Sequence, residues 1–292
     1  RAAVRNLPAG SFQNNLQFVK CDLSPSFDWS ELLDGITHVV HCAARVHVMS
    51  ETIRNPLAEF RRVNVEGTMR LARQAAEAGV RRFIFLSSIK VNGEQTRLGS
   101  PFVADQQPNP VDHYGISKME AEEGLLLLGK KTRMEIVIIR PPLIYGPGVK
   151  ANFLAMMRWL KYGFPLPLGA VTENRRSLVA LDNLVDLIVT CVAHPAAASQ
   201  TFLVSDGESL STAGLLFRMG EALGRPARLM PVPVSFLQFG ARVLGKSDVA
   251  LRLCGSLEID ISKTRQLLGW EPPISVDEGL RRTVECGLMS NG

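Results

Sequence analysis

Short apolar segments alternate with amphipathic segments along the first half of the chain. The apolar runs predict buried strands at 16–23, 37–44, 81–88 and 135–146. Helical spacing of the apolar residues predicts helices at 28–35, at 56–78 and from Tyr114 onward. Strands that are apolar on both faces, with helices between them, are typical of a parallel sheet covered on both sides. We therefore predict an α/β fold with a doubly wound sheet.

The pattern changes after Pro147, where a helix at 152–163 leads into a proline-rich segment. The pattern of strand, helix and strand then returns over 177–207, and the rest of the chain is mostly helical. We predict a Rossmann-like dinucleotide-binding domain and a smaller, mostly helical substrate-binding domain. The first domain comprises 1–146 and is completed by 177–207, and the second comprises 147–176 and 208–292.

The first residues, RAAVRN, have the composition of a strand end, and no glycine-rich phosphate loop precedes them. In a doubly wound sheet with the strand order 3-2-1-4-5-6, strand 1 lies in the centre. If this segment is strand 2, the first βα unit of the dinucleotide-binding domain is missing from the sequence. We therefore expect the natural protein to have about 25 to 30 further residues at its N-terminus, the usual size of such a unit.

Composition narrows the classes of protein. Hydrophobic residues make up 46% and charged residues 21% of the chain, with a formal net charge of +5. There is no basic run with interleaved aromatic residues, so we predict no nucleic-acid partner. There is no transmembrane segment in the sequence, because no window approaches eighteen uncharged apolar residues. The scattered cysteines and histidines have no metal-ligand spacing, and they fit a cytoplasmic protein with reduced thiols.

The segment DHYGISK carries the first candidate chemistry. Tyr114 and Lys118 are four residues apart, which places them on one face of a helix. A free phenol titrates near pH ~10 and is a poor base, but a nearby ammonium group favours the phenolate. A tyrosine and a lysine at this spacing are more often a packed ring and a surface amine. Ser88 strengthens the catalytic interpretation, because it ends a predicted strand, where ligands bind in open α/β sheets.

With Ser88, Tyr114 and Lys118 in this order, the chain resembles the extended short-chain dehydrogenase/reductase superfamily. It is most similar to the NAD-dependent epimerase/dehydratase family of nucleotide-sugar enzymes. The matching motifs are HCAA (41–44), NVEGT (64–68), FLSSIKVNG (85–93), YGISK (114–118), IIRPPLIYGPG (138–148) and RRSLVALDNLVD (175–186). Each motif is weak alone, but together they follow the family's order over nearly the whole chain.

The resemblance implies roles for the site residues. Tyr114 would exchange the proton of a sugar hydroxyl, Ser88 would share that proton, and Lys118 would hold the nicotinamide ribose and lower the pKa of Tyr114. Asp22 would accept a hydrogen bond from the adenine, although a turn aspartate is the alternative. The further residues that the resemblance implies for the cofactor are Leu23, Cys42, Ala43, Ala44, Val46, Asn64, Ser87, Arg140, Pro141 and Pro142.

The choice of cofactor depends on the end of the predicted strand 2. An acidic residue there would bind the 2′-hydroxyl of NAD. The sequence has Val4 and Arg5 instead, and an arginine can hold the 2′-phosphate of NADP. We still expect NAD, because the resemblance implies it for epimerases of this family. Arg5 makes NADP the alternative.

The resemblance also places the substrate. Asn152 and Phe153 open a helix, and a helix N-terminus with an asparagine cap is a natural diphosphate site. The further residues expected at the substrate are Asn92, Leu168, Arg176 and Arg252. The acidic partner that such enzymes carry near Arg252 is not evident, and 229–244 is unusually apolar. This segment leaves room for a lipid-linked diphosphosugar, or it is simply the core of a small domain.

Dehydratases of the family carry an Asp–Glu pair after the catalytic serine, whereas this chain has Ile89 and Lys90. We therefore expect a 4-epimerase acting at C4 of a UDP-hexose or UDP-N-acetylhexosamine. The alternatives are an NAD(P)H-dependent 4-keto-sugar reductase, which would use the same residues, and a non-catalytic nucleotide-binding relative. The resemblance further implies a homodimer formed by the helices at 56–78 and 113–128.

Overall fold

The chain forms two compact units. A computed structural model describes residues 1–7, 16–46, 55–149 and 151–289, with the side chains of 151–152 and 287–289 outside that description. The first unit contains 1–91, 108–139 and 191–201, and the second contains 92–107, 140–190 and 202–292. The domain division predicted from the sequence has other boundaries than these units, and it remains a prediction.

The first unit has the predicted alternation of strands and helices. Its strands are β1 (Ala2–Val4), β2 (Phe18–Lys20), β3 (His38–His41), β4 (Arg82–Leu86) and β5 (Glu135–Arg140). Its helices are α1 (Ser30–Leu33), α2 (Pro56–Phe60), α3 (Thr68–Glu77) and α4 (His113–Lys131), with a π-helical segment at Arg61–Gly67 and a 3-10 turn at Ile89–Val91. The last residue of β5 belongs to the second unit.

Parallel pairing confirms the predicted fold class. Strand β3 pairs with β4, and β4 with β5, in parallel registers that align His38 with Arg82 and Arg82 with Glu135. Strand β8 (Thr201–Leu203) completes the order β3-β4-β5-β8. Strands β1 and β2 form a separate parallel pair, and no strand of the described residues pairs with both this pair and β3.

The core of the first unit lies against one face of its sheet. Helix α4 covers β4 and β5 with Ala121 and Leu125, which have no exposed surface. Phe83, Phe85 and Ile136 meet these side chains from the strands. Burial of this apolar surface between helix and sheet fixes the register of the strands. It therefore also fixes where β4 ends.

The second unit contains the rest of the secondary structure. Its strands are β6 (Leu143–Tyr145), β7 (Arg176–Ala180) and β9 (Ser209–Leu210), together with most of β8. Strand β7 pairs in parallel with β6 and antiparallel with β9. Its helices are α5 (Ala151–Tyr162), α6 (Leu181–Ala193, of which the last residues belong to the first unit), α7 (Thr212–Ala222), α8 (Val234–Val243), α9 (Ser247–Cys254), α10 (Ser262–Leu268) and α11 (Val276–Met289).

Several element boundaries differ from those predicted. The strand expected at 135–146 breaks at Pro141 and Pro142, because proline lacks the amide hydrogen that a strand ladder needs. The helix expected at 56–78 is interrupted by the π-helical segment. Of the helices in the described residues, none has the length and apolar character needed to span a membrane.

Candidate active site

Ser88, Tyr114 and Lys118 come together at the end of β4. Ser88 follows the strand, and Tyr114 and Lys118 lie on the first turns of α4. The Ser88 hydroxyl lies close enough to the Tyr114 phenol to lower its pKa. Lys118 is 1% exposed, and its Nζ donates to the carbonyl oxygen of Leu86 at 2.8 Å. The structure thus places a hydroxyl, a phenol and an amine at the carboxyl end of one strand, where open α/β sheets bind ligands.

The start of α4 is fixed by its cap and by a glycine. Asp112 caps the helix, since its side chain accepts a hydrogen bond from the Gly115 amide at 2.6 Å. A Cβ atom on Gly115 would lie 2.9 Å from the carbonyl oxygen of Lys90, so only glycine allows this approach. The Lys90 ammonium also forms an ion pair with Asp112. These contacts hold the helix end that carries Tyr114 against the turn after β4.

Burial controls the acidity of Tyr114. Burial, together with the negative charge of Asp112, raises the pKa of Tyr114 to about 12, while the hydrogen bond from Ser88 lowers it. Burial outweighs the favourable contacts in this structure, and the lowering of this pKa by Lys118 stays a prediction. The phenol is therefore protonated at neutral pH.

Lys118 is perturbed in the opposite sense. Burial lowers the pKa of Lys118 to about 7, against the opposing effects of Glu122 and Cys42. Its Nζ lies 3.7 Å from the centroid of the Phe85 ring, a cation–π contact that favours the charged form. The amine is therefore poised to change its charge near neutral pH.

This shift predicts a pH-dependent stability. Above pH ~7 the folded protein releases the Lys118 proton, whereas the unfolded chain keeps it up to pH ~10. The unfolded state therefore binds more protons in this window, and the contribution of Lys118 to stability rises with pH. We expect the excess stability of Lys118→Met over wild type to shrink between pH 7 and pH 9 in urea unfolding.

The control for this experiment is Lys246→Met, which removes an exposed lysine. Its free energy of unfolding should differ from that of wild type by a constant amount over the same pH range. Curves for Lys118→Met and wild type that stay parallel would show that the buried amine keeps its proton.

Asn64 lies in the π-helical segment and joins three parts of the first unit. Its Oδ1 accepts from the Arg45 amide at 2.8 Å, and its Nδ2 donates to the Arg45 carbonyl oxygen at 3.1 Å and to Ser117 Oγ at 2.9 Å. A π-helical turn rotates the residues that follow it relative to an α-helix, and such turns are frequent at functional sites. Asn64 therefore holds the loop after β3 against the helix that carries Tyr114 and Lys118.

Among the described residues, the Ser87 hydroxyl fits a nicotinamide cofactor. It is buried beside Ser88 and has no hydrogen-bond partner, although buried hydroxyl groups usually have one. A cavity of about 380 Å³ lies between the β1–β2 pair and β3, the position of the central strand in a doubly wound sheet. The predicted cofactor residues Arg5, Leu23, Cys42 and Ala43 are among the residues that line it.

Arg140 and Asn92 form a buried pair in the second unit. Arg140 Nη1 donates to Asn92 Oδ1 at 2.9 Å, and Asn92 Nδ2 donates to the Val103 carbonyl oxygen at 2.9 Å. Both ends of the Asn92 amide are thus bonded within the protein. Pro141 and Pro142, which follow Arg140, are also buried and set the direction of the chain after β5.

Arg252 lies near enough to Arg176 in the second unit for its charge to act on Arg176. Burial lowers the pKa of Arg176, and the nearby positive charge of Arg252 lowers it further. Arg176 Nη1 donates to the Gly255 carbonyl oxygen at 3.2 Å, which ties the start of β7 to the residue after α9. Two cations side by side with one of them largely buried create a site that an anion would stabilise.

A buried asparagine that the sequence analysis missed organises this pair. Asn174 Nδ2 donates to Thr212 Oγ1 at 3.0 Å and to the Leu253 and Gly255 carbonyl oxygens at 3.3 and 3.2 Å. Asn174 Oδ1 accepts from the Thr212 amide at 3.0 Å. These hydrogen bonds of Asn174 hold the end of α9 beside β7. They thereby place Arg252 near Arg176. The only sequence signal was a polar residue directly ahead of two arginines.

The remaining predicted residues are dispersed. Asp22 and Val46 are exposed, and Ala44 is half-buried. Phe153 is buried and stacks on Tyr145 at 5.5 Å, and it shares the core of the second unit with Leu168. The side chain of Asn152 lies outside the described residues. Among the side chains that are described, no three of His, Cys, Asp or Glu could hold a metal ion together.

Two curated relatives show what the chain is similar to. The chain is 49% identical over 291 residues to a UDP-glucose 4-epimerase of Vibrio cholerae, a match that covers 100% of this chain and 88% of the relative. It is also 27% identical over 246 residues to the N-acetyl-alpha-D-glucosaminyl-diphospho-ditrans,octacis-undecaprenol 4-epimerase of Escherichia coli O157:H7, covering 79% of this chain and 72% of the relative.

A solved structure and a family profile complete the comparison. MoeE5 in complex with UDP-glucose and NAD superimposes with a TM-score of 0.76 at 22% identity, covering 100% of this chain and 91% of that one, and this likeness concerns the fold. The profile of the NAD dependent epimerase/dehydratase family matches residues 2–205, which include Ser88, Tyr114 and Lys118. The chain therefore belongs to the NAD dependent epimerase/dehydratase family.

Proposed function

We propose that this protein is an NAD-dependent 4-epimerase of a UDP-linked hexose or N-acetylhexosamine. The observation that carries the proposal is the placement of Ser88 close to the Tyr114 phenol, beside the buried amine of Lys118. The 49% identity to the Vibrio cholerae protein named UDP-glucose 4-epimerase supports the choice of reaction and substrate.

The acid–base work in this proposal falls to Tyr114. Its phenol exchanges the proton of the C4 hydroxyl, since a hydroxyl must lose its proton when the carbon that bears it is oxidised. Ser88 donates a hydrogen bond to the same reacting oxygen and so spreads the charge that develops there. Lys118 supplies positive charge on the same face of α4. Bound NAD would supply reversible hydride acceptance at C4.

The cofactor would be held by residues of the first unit. Ser87 offers the unpartnered buried hydroxyl, and Lys118 offers donors for ribose hydroxyls. Arg5, Leu23, Cys42 and Ala43 line the cavity described above. The position of Arg5 keeps NADP as the alternative cofactor, since a guanidinium group can hold a 2′-phosphate.

The diphosphate of the substrate would bind at the second unit. Arg176 and Arg252 are the candidate partners, because a diphosphate between them would relieve the repulsion that lowers the pKa of Arg176. Homodimer formation through α4 is part of this proposal and is supported by the exposed Leu126 and Leu127 on that helix. The cytoplasmic location predicted from composition also remains a proposal.

The protonated phenol of Tyr114 also fits a 4-keto-sugar reductase, which is the second candidate. Reduction of a ketone needs a proton donor, and burial keeps the Tyr114 phenol protonated, with a pKa of about 12. The same residues serve both reactions, so the two candidates differ in whether NAD(P)H is consumed.

Turnover assays separate the two candidates. We expect the purified protein, supplied with NAD and UDP-glucose or UDP-N-acetylglucosamine, to form the C4 epimer, which proton NMR detects from the coupling of the sugar protons. Absence of the epimer together with NADPH oxidation by a UDP-4-keto sugar would establish the reductase instead. Bound cofactor without turnover in either assay would indicate a non-catalytic relative.

A further inference from the structure

Helix α8 is apolar on two opposite faces. Val234 and Leu237 pack against the core of the second unit. Phe236, Phe239 and Val243 are 69%, 68% and 70% exposed. Their spacing of three and seven residues aligns them along one side of the helix. A stripe of large apolar side chains on solvent is unusual for a helix of a globular protein, since that face is normally polar.

A second group of exposed aromatic side chains lies on α5 and on the residues just after it. The rings of Trp159 and Tyr162 lie 5.9 and 6.2 Å from the ring of Phe164, and all three side chains are more than half exposed. The chain after Phe164 is hydrogen-bonded to the segment that leads into α8. Leu166 N donates to the Arg228 carbonyl oxygen at 2.9 Å, and Met230 N donates to Leu166 O at 2.8 Å. We call these six residues the α5–α8 surface: Trp159, Tyr162, Phe164, Phe236, Phe239 and Val243.

The charge around the α5–α8 surface is strongly one-sided. Segments 151–169 and 225–253 contain a single acidic residue, Asp248, while the whole chain carries 28 acidic and 33 basic residues. The exposed basic residues of these segments are Arg158, Lys161, Arg225, Arg228, Arg242, Lys246 and Arg252. The excess of positive charge in the protein is therefore concentrated here, and the rest of the chain is close to neutral.

This combination identifies the kind of partner. Aromatic and aliphatic side chains on one face, bordered by lysine and arginine, are typical of helices that lie in the headgroup region of an anionic bilayer. Tryptophan and tyrosine suit that region, because their rings are apolar with one polar end. Two copies of this chain meeting through the same surface would bring like charges together, which disfavours a dimer formed here.

We propose that the α5–α8 surface docks on a bilayer with anionic headgroups, inserting Phe236, Phe239 and Trp159 between the lipids. The basic residues around them then contact the headgroup phosphates. The proposal concerns attachment to one leaflet and does not depend on which reaction the protein catalyses.

Vesicle co-sedimentation tests the proposal. Wild-type protein should sediment with vesicles of phosphatidylglycerol and phosphatidylcholine in equal parts, and should remain in the supernatant with phosphatidylcholine alone. Phe236→Ser/Phe239→Ser should lower the partition coefficient by roughly a hundredfold, since each buried phenylalanine is worth roughly tenfold. Raising the salt from ~0.1 M to ~0.5 M should also weaken sedimentation, because screening reduces attraction to the headgroups.

A matched control tests whether the effect is specific to this surface, and a second variant tests the role of charge. Val185→Ser/Val189→Ser removes two exposed apolar side chains of α6, outside this surface, and should bind vesicles as wild type does. Arg242→Glu/Lys246→Glu keeps the apolar stripe and reverses the charge, so binding to the anionic vesicles should be lost even if the phenylalanine variant fails to fold.

Three results would overturn the proposal. Wild type could fail to sediment with the anionic vesicles, or both variants could sediment as wild type does. Equal binding to neutral vesicles would remove the role of charge. Sedimentation equilibrium showing a wild-type dimer that Phe236→Ser/Phe239→Ser converts to a monomer, without vesicle binding, would instead assign the surface to a second copy of the chain.

Discussion

Replacement of Tyr114 by phenylalanine is expected to lower kcat of the proposed epimerisation by roughly 10²–10⁴-fold, the usual contribution of a positioned general acid or base. The phenol oxygen is the atom that Ser88 contacts, and no other described phenol lies beside Ser88 and Lys118. The ring itself should stay in place, because it packs edge-on against Phe60 with the centroids 6.3 Å apart. The measurement is the initial rate of C4 epimer formation by NMR.

The matched control for this variant is Tyr162→Phe, which removes the hydroxyl of an exposed tyrosine on α5. Its rate should equal that of wild type, and both variants should unfold at the wild-type temperature. A Tyr114→Phe enzyme that keeps more than a tenth of the wild-type rate would exclude the phenol as the group that exchanges the C4 proton.

Replacement of Arg82 by methionine is expected to cost about 3–5 kcal/mol of stability, as is typical when one partner of a buried ion pair is removed. Arg82 is 2% exposed and lies 2.6 Å from Glu135. Its Nη1 also donates to the carbonyl oxygens of Cys191, Val192 and His194 at 2.6, 3.0 and 2.9 Å. The variant leaves these carbonyl groups and the carboxylate without their donor. The measurement is the free energy of unfolding in urea.

Arg81→Met is the control for the stability measurement, because Arg81 is the exposed neighbour of Arg82. Its free energy of unfolding should lie within ~0.5 kcal/mol of wild type, as for most surface substitutions. Adding Glu135→Gln to Arg82→Met should recover part of the loss, since the unpaired carboxylate is then removed. Equal destabilisation by the two arginine variants would refute the structural role of Arg82.

The parallel sheet and the Tyr114–Lys118 pair were predictable from sequence because each depends on short-range patterns. Apolar runs identified β3, β4 and β5, and the four-residue spacing placed Tyr114 and Lys118 on one face of α4. The family resemblance then joined Ser88 to them, although Ser88 stands on another element. Local periodicity alone contains no information on which strand end meets which helix.

Other features depend on contacts that periodicity cannot reveal. The π-helical turn at Asn64 has the same apolar spacing as an ordinary helix over a few residues, so the sequence predicted a continuous helix. Arg82 looked like the polar start of a strand, yet it is buried among carbonyl groups more than a hundred residues away in sequence. The pKa of Tyr114 was expected to fall because nearby positive charges favour the phenolate, whereas burial, which dominates in this structure, depends on tertiary packing.

The ion pair between Lys90 and Asp112 bears on how this fold could acquire a different reaction. Dehydratases of the family carry an Asp–Glu pair where Ile89 and Lys90 stand, and a carboxylate in place of Lys90 would take the counterion from the aspartate that caps α4. Two carboxylates would then repel each other beside the phenol and push its pKa still higher. A single substitution at Lys90 would therefore weaken the proposed epimerase activity and the start of α4 before it could create a dehydratase activity. Evolution from one reaction to the other would have to change Lys90 and Asp112 together.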